Sequence, residues 1–220
     1  MKRWMSVSLL LCITLLCCGC MQTDADQGNE PLPGTLYAQS GNASETMQLD
    51  PGLYRFVMNS SGSGIFEVGI QNPDTYGLIA RGESPYSGSQ IFGIYENGTY
   101  TMNVTAEDAW SVNVELLTAE TEAAAPLPFT VNGSGDDTAG WVDLPIGEVT
   151  CDLTHDSDSV FAVWLYNETG HPVFDQTDTY LQPLHGHMGS YNGTVPVAIE
   201  EKGPYYLNVI SDGNWSISIS

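Results

Sequence analysis

Apolar residues recur at every second position along most of the chain. Tyr100, Met102 and Val104 alternate with Thr101 and Asn103, and Trp110, Val112 and Val114 alternate with Ser111 and Asn113. The same spacing returns in Tyr205, Leu207 and Val209 and in Trp215, Ile217 and Ile219. A period of two places successive side chains on opposite faces of a strand, so these sets face a core and their neighbours face outward. By this count Phe66, Val68 and Ile70, and likewise Phe161, Val163 and Leu165, point inward. Runs of this kind are separated by Asn-Gly, Ser-Gly and Asp-Gly turn signals, and no helical period competes with them. The pattern predicts an all-β fold built from antiparallel strands.

The pattern also repeats. Glu96-Asn97-Gly98-Thr99-Tyr100-Thr101-Met102-Asn103-Val104 aligns with Glu201-Lys202-Gly203-Pro204-Tyr205-Tyr206-Leu207-Asn208-Val209 at an offset of 105, which extends back to Tyr86 over Tyr191. Upstream the offset is 95, setting Gly52 over Gly147 and Ile65-Phe66-Glu67-Val68 over Val160-Phe161-Ala162-Val163. The second copy therefore carries about ten extra residues between His171 and Gly189, a difference far smaller than a domain. A duplication of this length predicts two tandem antiparallel β-sandwiches, each with about six or seven strands in two sheets. The copies fall at residues 36–118 and 129–220. Residues 119–128, small, acidic and proline-bearing, form the linker between them.

The first 19 residues fit neither copy. Lys2 and Arg3 precede an apolar run from Ser8 to Leu16, too short to span a bilayer, and the run stops at Cys17-Cys18-Gly19-Cys20. This is the layout of a secretory signal. A small residue followed by cysteine at the end of such a run resembles the lipobox of prokaryotic lipoproteins. The resemblance implies cleavage before Cys20, acylation of that cysteine, and a position on the outer face of the cell membrane. Cys17 stands where the family prefers leucine. Residues 20–35, polar with Pro31 and Pro33, then act as a tether. Of the five cysteines only Cys151 remains in the folded part, which leaves no intramolecular disulfide and points to a buried thiol acting as a small hydrophobe.

Loss of residues 1–19 leaves 27 acidic residues against Arg55, Arg81 and Lys202, a net charge of −24. Such a field repels polyanions and excludes nucleic-acid binding. Eight of the 12 asparagines lie in Asn-x-Ser/Thr: Asn42, Asn59, Asn97, Asn103, Asn132, Asn167, Asn192 and Asn214. With 37 serines and threonines in 220 residues, chance accounts for about 2 of them. The excess points to an extracellular glycoprotein. Lipobox, acidity and sequons together point to an archaeal surface, with a bacterial lipoprotein as the alternative.

Gly-x-Tyr-x-Leu/Met-x-Val, a turn, then Trp-Ser-Val/Ile-x-Val/Ile resembles the closing hairpin of jelly-roll modules appended to secreted proteins, among them pre-peptidase C-terminal domains. The resemblance covers about a third of each copy. It implies a jelly-roll-like sandwich and, being made of core and turn residues, no activity.

Candidate chemistry concentrates in the second copy. His185-Gly186-His187 sets two imidazoles on one side of an extended chain, a metal pair only with a third ligand such as Asp175 or Asp178. Without a fixed third ligand the expectation is solvated histidines, no metal and no cofactor. His155-Asp156-Ser157-Asp158 lacks the calcium-loop pattern and is expected to be a solvated acidic turn. Ser61-Gly62-Ser63-Gly64 and Gly133-Ser134-Gly135 lack the strand-to-helix setting of a nucleophile, so no catalytic residue is assigned.

A comparison of the copies is sharper. Outward Thr46, Gly69, Gln71 and Thr101 of the first copy become Trp141, Trp164, Tyr166 and Tyr206 in the second. Two readings follow: a glycan- or protein-binding face made by these four aromatics, or packing of the four under the extra segment or against the first copy. The expected function is therefore non-enzymatic. The chain is a lipid-anchored surface protein displaying two binding or adhesion modules, with glycan or protein partners through the second. A metal-dependent protein using the histidine-bearing insert, or an accessory subunit of an envelope complex, is the competing expectation.

Overall fold

The computed structural model describes residues 34–120, 122–173 and 183–220. The signal segment, Cys20, the tether up to residue 33, Asp175 and Asp178 lie outside the described residues.

Eight strands form in the first copy: β1 (Thr35–Ser40), β2 (Ala43–Leu49), β3 (Gly52–Ser60), β4 (Ile65–Gln71), β5 (Tyr76–Glu83), β6 (Tyr86–Ile94), β7 (Gly98–Thr105) and β8 (Ala109–Leu117). Among the described residues eight form in the second: β9 (Phe129–Ser134), β10 (Asp137–Leu144), β11 (Gly147–His155), β12 (Val160–Asn167), β13 (His185–Met188), β14 (Tyr191–Ile199), β15 (Gly203–Ser211) and β16 (Asn214–Ile219). The strand orders are β1-β8-β3-β6 and β2-β7-β4-β5 in the first, β14-β11-β16-β9 and β10-β15-β12-β13 in the second. Strand for strand the two halves have one topology, the eight-stranded jelly roll. There are eight strands rather than six or seven because β1 and β9 are edge strands with little buried surface, so they leave a weak apolar alternation.

Each sandwich encloses the inward residues that the period of two selects. Phe66, Val68, Ile70, Tyr100, Met102, Val104, Trp110 and Val112 meet Tyr54, Phe56 and Met58 in the first core. Phe161, Val163, Leu165, Tyr205, Leu207, Val209, Trp215 and Ile217 meet Cys151 and Leu153 in the second. The first hairpin is pinned alike in both. Gly41 and Gly135 take left-handed φ of 75° and 70°, and their carbonyls accept the indole N–H of Trp110 at 2.8 Å and Trp215 at 3.0 Å. At the opposite end the Tyr100 and Tyr205 hydroxyls donate to the carbonyls of Glu96 and Glu201, four residues upstream. Burial pushes the Cys151 thiol up to about 12, with Asp152 adding to the effect. It is a packing residue rather than a nucleophile.

A third apolar cluster lies between the sandwiches. Leu53, Ile91 and Leu117, outward on the sheet of β3, β6 and β8, pack on Trp141 and Tyr206, outward on the sheet of β10 and β15. The four sheets are thus layered, with one outer face of each module sealed against the other. The linker takes part: Ala125 N donates to the Trp141 carbonyl and Asp143 N to the Ala125 carbonyl, both at 2.9 Å, along the free edge of β10. Residues 31–220 behave as one compact unit.

Candidate functional site

The aromatic substitutions that distinguish the second module are explained by this packing. Trp141 is 2% exposed and Tyr206 1%, their rings meeting edge to face at 4.9 Å and 85°. Both point away from their own core, as the alternation requires, yet the face they occupy is covered by the first module. The expectation of a ligand face through Trp141 and Tyr206 is corrected accordingly, and packing against the first copy is the arrangement found. Tyr166 is half-buried at the margin of the same cluster. Trp164, also half-buried, lies 6.3 Å from it. Rings that each carry about 150–250 Å² gain more from this apolar contact than from water.

A polar seam surrounds the cluster. Arg55 donates from Nε and Nη2 to Glu115 at 2.8 and 2.6 Å, from Nη2 to Glu122 at 3.2 Å and from Nη1 to the Tyr206 hydroxyl at 3.0 Å. The first module, the linker and the second module therefore share one guanidinium. Strand β6 is an edge of its sheet, and its free N–H groups are taken up across the boundary: Ser89 N donates to the Asp136 carbonyl at 3.0 Å and Ile91 N to Asn208 Oδ1 at 3.3 Å. Asn208 Nδ2 donates to Gln90 Oε1, and Gln90 Nε2 to the Val209 carbonyl, both at 2.8 Å. Covering an edge in this way removes a site of unwanted strand pairing.

The second difference between copies is a histidine cluster. Register places Ser60, Ala80 and Gly82 of the first module where the second has His155, His185 and His187. All three surround the pair Phe161 and Tyr191, whose counterparts are Phe66 and Tyr86. His155 is buried and stacks on Phe161 at 4.8 Å and 5°, with Nδ1 against the Gly189 carbonyl at 3.0 Å. A carbonyl only accepts, so Nδ1 carries a proton, while Nε2 is buried without a hydrogen-bond partner, 3.9 Å from Asp212 Oδ1. His185 packs 4.0 Å from Tyr191 and 6.2 Å from His187. The expectation of solvated histidines is corrected at His185, because the strand pairing of β13 with β12 turns its imidazole towards the aromatic pair, and the solvated acidic turn is corrected at His155, which ends β11 on its buried face against Phe161. Among the described residues no three His, Cys, Asp or Glu side chains are grouped to hold a metal ion.

Burial, and then the charge of His187, hold the His185 pKa below its ordinary value. The unfolded chain then takes up this proton first as pH falls, so stability is intact above the unfolded value of about 6.5 and declines below it. The charged or titratable groups nearby are His187 and Tyr191 beside it, and Asp156 and Asp212 at the His155 end. Urea midpoints at pH 7.5 and 5.5 should differ more for the wild type than for His185→Ala. An equal difference would remove His185 as the cause.

On the far side of the second module a groove of about 770 Å³ opens at one end of the sheet β14-β11-β16-β9 and touches all four strands. Asn132, Ser216, Thr154 and Asn192 stand side by side across it in register. Asp156 bounds it, accepting from Asn214 N and Nδ2 at 2.8 Å each. These bonds hold the Asp156 carboxyl below the usual carboxylate range. Sequence reasoning missed this groove, since it depends on which strands are neighbours. Of the sequon asparagines, Asn42, Asn59, Asn97, Asn132, Asn192 and Asn214 are exposed and Asn103 and Asn167 half-buried.

The sequence matches no family model and no curated protein. Solved structures similar to it include the PBSX exported protein XepA, at 8% identity over 87% of this chain and 86% of that one, with a TM-score of 0.26. The N-terminal CBM22-1–CBM22-2 tandem domain of Xyn10C from Paenibacillus barcinonensis is 9% identical over 90% of this chain and 99% of that one, at 0.27. A protein with a triple jelly roll fold, from the turret assembly of an archaeal virus, is 14% identical over 84% of this chain and 58% of its own, at 0.28. These are likenesses of fold, at identities too low to carry function.

Proposed function

We propose that the chain is a non-enzymatic, lipid-anchored surface protein, held at the outer face of the cell membrane through Cys20 and displaying the second jelly roll as its binding module. The observation that carries this reading is the uneven use of sheet faces. The apolar outward faces are spent on joining the modules, and the groove on the outer sheet of the second module remains open to a partner. In chain order the tether precedes the first module, so the first module acts as a fixed spacer and the second as the presented end. The dense sequons and the net charge of −24 suit an extracellular, glycosylated surface.

Cell fractionation with antibody labelling of intact cells tests this. The wild-type chain is expected in the membrane fraction and labelled from outside, and Cys20→Ser should move it to the medium. A chain that stays inside the cell, or one whose membrane association survives Cys20→Ser, would contradict the anchor and the display it serves.

A further inference from the structure

We propose that the groove on the outer sheet of the second module is a carbohydrate-binding site, with the row Asn132, Ser216, Thr154 and Asn192 as its floor. This deepens the display reading by naming the ligand class and rests on it only for biological setting. The four residues follow one another across β9, β16, β11 and β14, so they span three strand spacings, about 14 Å. Among the described residues none of their side chains has a hydrogen-bond partner, whereas the neighbouring row is closed on itself. There Thr130 bonds Ser218 at 2.9 Å, and Thr194 donates to Asp152. One row further Thr150 bonds Ser220 at 2.8 Å.

The first module supplies an internal control. Its corresponding row is Ala38, Ser111, Asn59 and Ser87. There Ser87 Oγ donates to Asn59 Oδ1 at 2.9 Å, and the end position is an alanine with no polar atom to offer. One fold therefore carries a row with an internal side-chain bond and three polar residues in one copy, and an unbonded row of four polar residues in the other, and the groove lies over the latter.

The chemistry of the open row selects its ligand. Two amides and two hydroxyls each donate and accept, which matches a neutral polyol and offers nothing specific to an anion. The Asp156 carboxylate at the edge of the groove and the net charge of −22 over the full sequence disfavour anions further. A protein partner is less well served, because the row Asn132, Ser216, Thr154 and Asn192 carries no large apolar side chain. Asn132, Asn192 and Asn214, all lining the groove, are themselves sequon residues, so the carbohydrate has two sources: the chain's own N-glycans or a glycan from outside.

The test uses the full chain made in a host without N-glycosylation and passed over immobilised neutral and N-acetylated oligosaccharides. Wild type and Thr130→Val/Ser218→Ala, which alters only the closed row, should retain at least one glycan. Thr154→Val/Ser216→Ala should retain it at least tenfold more weakly at an unchanged melting temperature. Glycosylated protein from its own membranes is compared with Ser134→Ala/Thr194→Ala/Asn214→Gln, which removes the three sequons of the groove and keeps Asn132 and Asn192. Binding only after sequon removal identifies the chain's own glycans as occupant, and equal binding identifies an external glycan. Failure of the unglycosylated chain to retain any oligosaccharide, or retention unaffected by Thr154→Val/Ser216→Ala, would overturn the site. Loss of a protein partner in that variant with no glycan retained by the wild type would also overturn it, in favour of a protein site. Surface labelling of intact cells decides the display reading separately from all of these.

Discussion

Replacing Trp141 with alanine is expected to cost about 3–5 kcal/mol and to divide one thermal transition into two. The indole is sealed between modules, with Tyr206 at its face and Leu53, Ile91 and Leu117 across the boundary. Its removal opens a cavity where neither module can collapse alone, and the loss falls on the coupling rather than on either sandwich core. Calorimetry on the wild type should show a single transition, and on Trp141→Ala a lower-melting and a higher-melting one. Tyr206→Ala should act the same way and additionally leave Arg55 without its bond to the Tyr206 hydroxyl. A single, barely shifted transition in Trp141→Ala would mean that the cluster does not couple the modules.

Gly93→Val should separate the modules from the opposite direction, by overfilling. A Cβ at Gly93 would lie 2.2 Å from the Gly170 carbonyl oxygen, and one at Gly170, whose φ is 84°, would lie 2.8 Å from Gly93 Cα. Backbone meets backbone here, so no flexible side chain yields, and a penalty near the upper end of the usual overpacking range, about 3 kcal/mol, is expected. The neighbouring contacts should loosen with it: the Tyr95 hydroxyl donates to the Gly170 carbonyl at 3.3 Å, and its ring lies 4.6 Å from His171. Gly98→Ala is the control, since a Cβ there meets nothing within 4 Å. Urea denaturation should resolve a large loss for the first and a change within about 1 kcal/mol for the second.

The cores, the duplication and the all-β class were legible because each is a local, periodic signal. Phe66, Val68 and Ile70 announce their face without knowledge of any other strand. The modules' mutual arrangement was legible only in halves. Trp141 and Tyr206 over Thr46 and Thr101 marked an unusual outward face, and the matching half was present at Leu53 and Ile91, outward residues that stand over Glu148 and Pro196. Reading those two anomalies as complementary requires knowing that the faces meet, which periodicity alone does not supply. Trp164 and Tyr166 obey the same parity but sit at the margin, so the sequence drew no line between sealed and marginal aromatics.

The groove and the histidine cluster were illegible for a related reason. Asn132, Ser216, Thr154 and Asn192 are scattered over 85 positions and join only through the order β14-β11-β16-β9. His155 lies 30 residues before His185, and only the closeness of β11 and β13 around Phe161 and Tyr191 unites them.

If the two jelly rolls are one rigid body, the spacer and the presented groove keep a fixed relation, and the distinction between sealed and open faces holds in solution. Amide hydrogen exchange at Ser89 and Ile91 tests this most directly. Their N–H groups lie on the free edge of β6 and are satisfied only by Asp136 and Asn208 of the second module. Both amides should exchange as slowly as those of the core strands, and the amide of Thr194, the counterpart of Ser89 on edge strand β14 and without a hydrogen-bond partner among the described residues, should exchange fast. Exchange at Ser89 and Ile91 as fast as at Thr194 would show modules that part readily, and would contradict the account.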